Sequence, residues 1–160
     1  MAHTNRQIRL TSRPAGMPSA GNFEAVDAPM PAVADGEVLR RTVYLSLDPY
    51  MRGRMSDAKS YATPVGLGDV MCGHTVSQVV ESKHPSFRAG DIVAGYDGWQ
   101  EYVVSNGKEL RHVEPAGPPI STAIGVLGMT GHTGYVGLLD CLRFCPPSVA
   151  ASDGYVGGSR

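Results

Sequence analysis

The sequence predicts a mostly β domain, an antiparallel sandwich or partly open barrel finished by short C-terminal helices. Three observations point there. Twenty glycines and twelve prolines occupy one fifth of the 160 residues, turn chemistry that suits many short strands better than long helices. Runs rich in Val, Tyr, Thr and Leu recur at spacings of about ten residues between turn signals. After Pro118-Pro119 the apolar period shifts from that of strands toward that of helices.

The elements follow in order. Arg6 to Leu10 alternates as a strand, and Arg13-Pro14 with Gly16 to Gly21 breaks the chain. Phe23 to Ala28 is a strand that stops at Pro29-Met30-Pro31. Asp35-Gly36 turns into a long strand over Glu37 to Leu47. Asp48-Pro49 closes it, with Asp as N-cap and Pro at the first position of one helical turn over Tyr50 to Met55. Thr75 to Glu81 is the next strand, and the turn Phe87 to Asp91 leads into Ile92 to Ala94. Asp97-Gly98 predicts a hairpin into Trp99 to Val104, and Asn106-Gly107 a second into Leu110 to Val113. Ser121 can cap a helical pattern carried by Ile124, Leu127, Tyr135, Leu138 and Leu139. Glycines inside a helix cost about 1 kcal/mol each relative to Ala. This glycine-rich stretch therefore predicts two short helices around a tight backbone loop at Gly128 to Gly134. Close helix packing and close approach to a ligand both explain such glycines. Cys141 to Arg160 holds no useful period and is left irregular.

Composition excludes several classes. Fourteen basic residues against fifteen acidic ones give a net charge of −1, which lacks the basic footprint of a nucleic-acid binder. The longest apolar or glycine run, Ala123 to Met129, falls far short of the roughly 20 residues that span a bilayer. His3, Asn5, Arg6 and Arg9 near the start leave no apolar core for a signal peptide. Three cysteines fit a reducing compartment better than a disulfide framework. The expected chain is soluble and cytoplasmic, with no nucleic-acid or membrane partner.

Motifs narrow the chemistry. Neither a P-loop nor G-x-G-x-x-G is present, so no phosphate cradle of either common type is encoded. Cys72-Gly73-His74 offers two zinc-type ligands, but a catalytic zinc needs three and no second cluster has suitable spacing, so no metal is expected. No G-x-S-x-G elbow supports a hydrolase, and His3, His84 and His112 lie in polar, turn-like stretches. Arg40-Arg41, and Arg52 with Arg54, read as solvated faces, with Arg52 also able to pair with a carboxylate or phosphate. Tyr50, Tyr61, Tyr96 and Trp99 fall in or beside turns. Their amphipathic rings suit either the lining of a small-molecule pocket or edge packing of a β core.

Four stretches then act together: Tyr44-Leu45-Ser46-Leu47-Asp48-Pro49-Tyr50-Met51-Arg52-Gly53-Arg54-Met55; Val80 to Pro85 with Arg88-Ala89-Gly90-Asp91; Gly98-Trp99-Gln100-Glu101-Tyr102; and Leu127 to Tyr135 leading to Gly137-Leu138-Leu139. In this order, from about Gln7 to Asp140, the chain resembles the zinc-independent medium-chain dehydrogenase/reductase family. The branch is that of NADP-dependent leukotriene/prostaglandin reductases and curcumin or alkenal double-bond reductases. The loop departs from the family pattern at Thr130, His132, Gly134 and Val136.

The resemblance implies a GroES-like β domain at 1–118 and a helical connection at 119–140. In the family a Rossmann domain that binds NADPH follows. Residues 141–160 match none of that continuation, so the cofactor domain is expected to be missing and the chain inactive alone; a reading-frame shift near codon 140 would explain the change. The implied activity is hydride transfer to the β-carbon of an α,β-unsaturated ketone or aldehyde. Carried over by position, Tyr61, Gly95 and Tyr96 contact substrate with Tyr50 and Trp99 nearby, and Met129 and Thr133 lie against the nicotinamide of NADP. The implied enzyme needs no zinc, and its full-length parent is a homodimer. The alternative is a stand-alone GroES-like module that binds a ligand or protein without catalysis.

Overall fold

The computed structural model describes residues 4–60 and 62–141, so Tyr61 and the tail beyond Cys141 lie outside the described residues. Among the described residues seven strands carry the fold: β1 (Thr4–Leu10), β2 (Phe23–Pro29), β3 (Val38–Leu45), β4 (Thr75–Ser82), β5 (Ile92–Gly95), β6 (Tyr102–Ser105) and β7 (Arg111–His112). Helix α1 (Tyr50–Arg54) follows β3, and helix α2 (Met129–Val136) follows a 3-10 turn at Ile120–Ile124. The described residues form two open antiparallel sheets, β1-β2 and β6-β3-β4-β5-β7, and no closed barrel. The mostly β class is therefore the observed one. No helix among the described residues is long and apolar enough to cross a membrane.

Strand β1 joins the sheets to the intervening segments. Ile8 N–H donates to the Trp99 carbonyl at 2.8 Å, and Met71 N–H donates to the Ile8 carbonyl at 2.9 Å. Buried Asn5 mimics a further strand, its amide donating to the Tyr102 carbonyl at 2.8 Å and accepting from Tyr102 N–H at 2.9 Å. Leu10, Met51, Met55, Val65 and Met71 form one apolar cluster between β1 and α1, with Phe23, Tyr50 and Trp99 against it. Val38, Val79, Phe87 and Val93 form a second within the large sheet, and Val76, Ala94 and Ala123 a third beneath the 3-10 turn. His84 and His112 flank Phe87 at 5.1 and 4.8 Å between ring centroids.

Several expectations are corrected. The Asp97-Gly98 and Asn106-Gly107 turns close no hairpin, because β6 pairs with β3 at one edge while β5 and β7 pair at the other. Gly98 and Gly107 do take positive φ, 74° each, so the turns are real and only the pairing differs. Asp48 does not cap α1 through its side chain; the N-cap is Pro49, and Met51 N–H is satisfied by the Asp48 carbonyl. Ser121 lies inside the 3-10 turn, whose N-cap is Pro119. The tight turn falls at 125–128 and α2 occupies 129–136, where the loop was expected. Glycine allows this approach, since a Cβ on Gly128 would come within 2.6 Å of the Ala123 carbonyl oxygen. Arg52 is no solvated face: Nε and Nη2 donate to the Gly16 and Pro14 carbonyls at 3.0 Å each, pinning the loop between β1 and β2 onto α1. Arg40 is buried at 1% exposure, against its reading as a solvated residue.

Candidate functional site

A cavity of about 510 Å³ opens where β5 leaves the large sheet beneath α2. Ala94, Gly95, Tyr96 and His74 form the sheet side, Leu127, Gly128, Met129 and His132 the helical side, and Glu109 and Arg111 bring charge to the rim. Three residues singled out in the sequence, Gly95, Tyr96 and Met129, thus line one space.

Each is placed for a local reason. Gly95 ends β5 opposite Thr75, and a Cβ there would press on Leu110 at 2.8 Å and on Asp97 Oδ1 at 3.2 Å. Tyr96 stands at the bend after β5, its ring edge-on to His74 with centroids 4.4 Å apart and tilted toward Tyr50 at 6.3 Å. Tyr50 opens α1 behind this wall. Burial pushes its phenol far above the ordinary range, with the adjoining Tyr96 hydroxyl adding to the effect. Burial also raises the Cys72 thiol, against the opposing pull of Arg54. The His74 imidazole is held below its ordinary value by burial, with Asp48 working the other way. A neutral imidazole therefore faces the cavity near neutral pH and the protonated Tyr50 phenol backs its wall, both able to donate a hydrogen bond.

Trp99 and Thr133 sit elsewhere. Trp99 stacks on Phe23 at 5.5 Å in the α1 cluster, and its contribution to the cavity is indirect, through packing beneath Gly73. Thr133 is exposed on α2 and its hydroxyl donates back to the Met129 carbonyl at 2.8 Å. Tyr61 lies outside the described residues. Sequence reasoning passed over His74 and His132 as cavity residues. For His74 the available signal was its place beside the glycine that lets α1 and Trp99 close in. Among the described residues no group of three or more His, Cys, Asp or Glu could hold a metal.

Residues 6–113 match the family described as the N-terminal domain of oxidoreductase. The chain belongs to this family. It is 54% identical over 138 residues to the NADPH-dependent curcumin reductase of Escherichia coli, covering 85% of this chain and 39% of that protein. Bovine prostaglandin reductase 1 is 41% identical over 128 residues, covering 78% and 37%. The crystal structure of CurA from Vibrio vulnificus in complex with NADPH shares 55% identity and superposes with a TM-score of 0.80, covering 84% of this chain and 40% of that one. The chain spans about two fifths of the length of these relatives. In this oxidoreductase domain, then, the cavity lies at the end of the β unit, where the matched region gives way to the glycine-rich helical segment.

Proposed function

We propose that this chain is the substrate-side domain of an NADP-dependent, zinc-independent reductase of the C=C bond in α,β-unsaturated ketones and aldehydes, inactive by itself. Residues 1–118 are the GroES-like unit, 119–140 the helical link toward a cofactor domain, and 141–160 a tail of different character. The observation that carries the reading is the cavity in which Gly95 and Tyr96 face Met129. The NADPH-dependent relatives support the choice of cofactor.

A bound NADPH supplies hydride to the substrate β-carbon. Negative charge then gathers on the carbonyl oxygen, and preorganised donors lower that barrier. Tyr96 O–H and the His74 N–H are the donors on the sheet side, with Tyr50 behind them. Leu127 and Met129 give an apolar surface that suits one face of a nicotinamide ring. Thr133 holds the turn of helix that carries Met129, Trp99 supports the wall from behind Gly73, and Tyr61 enters as a substrate contact on the resemblance alone. Cytoplasmic location enters on the composition and a homodimeric parent on the resemblance alone.

The test is titration of the isotopically labelled chain with 4-phenylbut-3-en-2-one, then with NADPH. The expected outcome is shifts of the Gly95, Tyr96 and Met129 signals with the enone, none with NADPH alone, and no NADPH oxidation above background. An enone that leaves those three signals unmoved sinks the reading. Stoichiometric zinc by elemental analysis would refute the metal-free part.

A further inference from the structure

We propose that Arg40 and Asp97 form a buried clamp that fixes Tyr96 in the cavity wall, making both of them positioning residues for the ligand site. The proposal deepens the reading of this cavity as a substrate site and rests on it for the ligand.

The geometry centres on the residue after Tyr96. Asp97 is held from two strands: Arg40 Nη2 of β3 lies 2.8 Å from Oδ1, and the Thr75 and Ser77 hydroxyls of β4 donate to Oδ2 at 2.7 and 2.9 Å. Its carbonyl accepts from the Gln100 side chain at 2.8 Å, and the next N–H, of Gly98, donates to the Gly73 carbonyl at 3.0 Å. On the other side Gly95 lies so close over the ion pair that a Cβ would reach Arg40 Nη1 at 3.4 Å. Tyr96 is thus bracketed by two fixed residues.

Stability does not account for such a pair. Both side chains are almost wholly removed from water, 1% and 4% exposed. Arg40 Nε and Nη1 are buried with no hydrogen-bond partner among the described residues. Burial pulls the guanidinium below its ordinary range, and the Asp97 charge offsets part of that. Buried ion pairs of this kind are often matched or bettered by apolar residues, so what they contribute is a unique geometry. The alternative they exclude is visible. A second cavity, of about 220 Å³, is also bounded by Tyr96, together with Arg40, Asp97, Lys108 and Leu110. Without the clamp the Tyr96 ring has room to leave His74 and turn into that space.

The experiment uses the full chain. Wild type is expected to show a nuclear Overhauser contact between the Tyr96 and His74 rings and to bind 4-phenylbut-3-en-2-one. The double variant Arg40→Met/Asp97→Asn removes both charges and keeps an acceptor for the two hydroxyls. It is expected to unfold cooperatively and keep the Phe87–His112 contact, while losing the Tyr96–His74 contact and binding the enone about tenfold more weakly through lost preorganisation. A folded double variant that retains the ring contact and the affinity overturns the proposal. Should that variant not fold, Ser77→Ala decides, since it removes one donor to Asp97. A weaker ring contact supports the clamp, and an unchanged one overturns it. Failure of wild type to bind the enone refutes the functional reading alone, because the ring contact still tests the clamp.

Discussion

The sheet wall of the cavity is held by buried side chains, with Arg40, Asp97, Thr75 and Ser77 all nearly closed to solvent, whereas α2 on the facing wall has no buried residue. Val126, Leu127, Met129 and Tyr135 are 45–69% exposed there, and the helix is only eight residues long. A helix so short depends on tertiary packing for its stability. One wall is therefore rigid on its own and the other is marginal, although both line the same space. A site that must hold a carbonyl in fixed geometry gains from the first, and a surface that meets another body is served by the second.

The strongest way to break the comparison is to unpair the rigid wall. Asp97→Ala leaves the Arg40 charge buried and uncompensated and strands two hydroxyls. The expected loss is about 3–5 kcal/mol of unfolding free energy by urea titration. A loss below about 1 kcal/mol would show that water reaches Arg40 and that the wall is not dry.

The marginal wall is probed by Gly131→Ala. Helix propensity alone would stabilise α2 by about 1 kcal/mol. A Cβ at Gly131 would instead collide with the Val126 carbonyl oxygen. The expected result is a destabilisation of about 1–3 kcal/mol confined to local opening. Hydrogen exchange should quicken across 129–136 while β3 and β4 keep their protection. Leu127→Ala should move global stability by less than about 0.5 kcal/mol, since its side chain is already solvated. If Leu127→Ala cost as much as a core truncation, the helical wall would be packed and the contrast would collapse.

Most strands were legible because runs of strand-forming residues stand between Gly, Pro or Asp punctuation. Thr75–Ser82 and Phe23–Pro29 end one residue beyond the runs read from the sequence. The pairing order was not legible. Asp97-Gly98 marks a turn, but no local residue reports that the strand after it crosses to the far edge of the sheet. Arg40 was misread for a related reason. An Arg-Arg pair looks solvated, yet successive residues of β3 face opposite sides of the sheet, which puts Arg40 inside and Arg41 outside. Its partner lies 57 positions away, beyond any local pattern. The glycine-rich segment failed differently, since helix propensity alone cannot see that Gly128 and Gly131 are demanded by backbone contact. The site was legible in pieces, Tyr96 and Met129 from motif resemblance, whereas His74 enters the cavity only through the close packing of Gly73 against Leu45, Met51 and Trp99.

The smallest expected effect is electrostatic and belongs to the rigid wall alone. His74 is held below its unfolded value of 6.5 by burial, with Asp48 opposing. Tyr50 and Tyr96 back it, and Glu109, Arg111 and His132 face it across the cavity. Between the lowered folded value and 6.5 the unfolded chain binds more protons than the folded one. The contribution of His74 is therefore complete above 6.5 and is lost as the pH falls through the folded value. Solvent reaches this half-buried ring and keeps the effect small. Urea midpoints at about pH 7.5 and about pH 5.5 should show a larger loss on acidification for wild type than for His74→Gln. Equal losses would mean that Asp48 cancels the burial, leaving His74 charged in weak acid and Tyr96 facing a cation instead of a neutral ring.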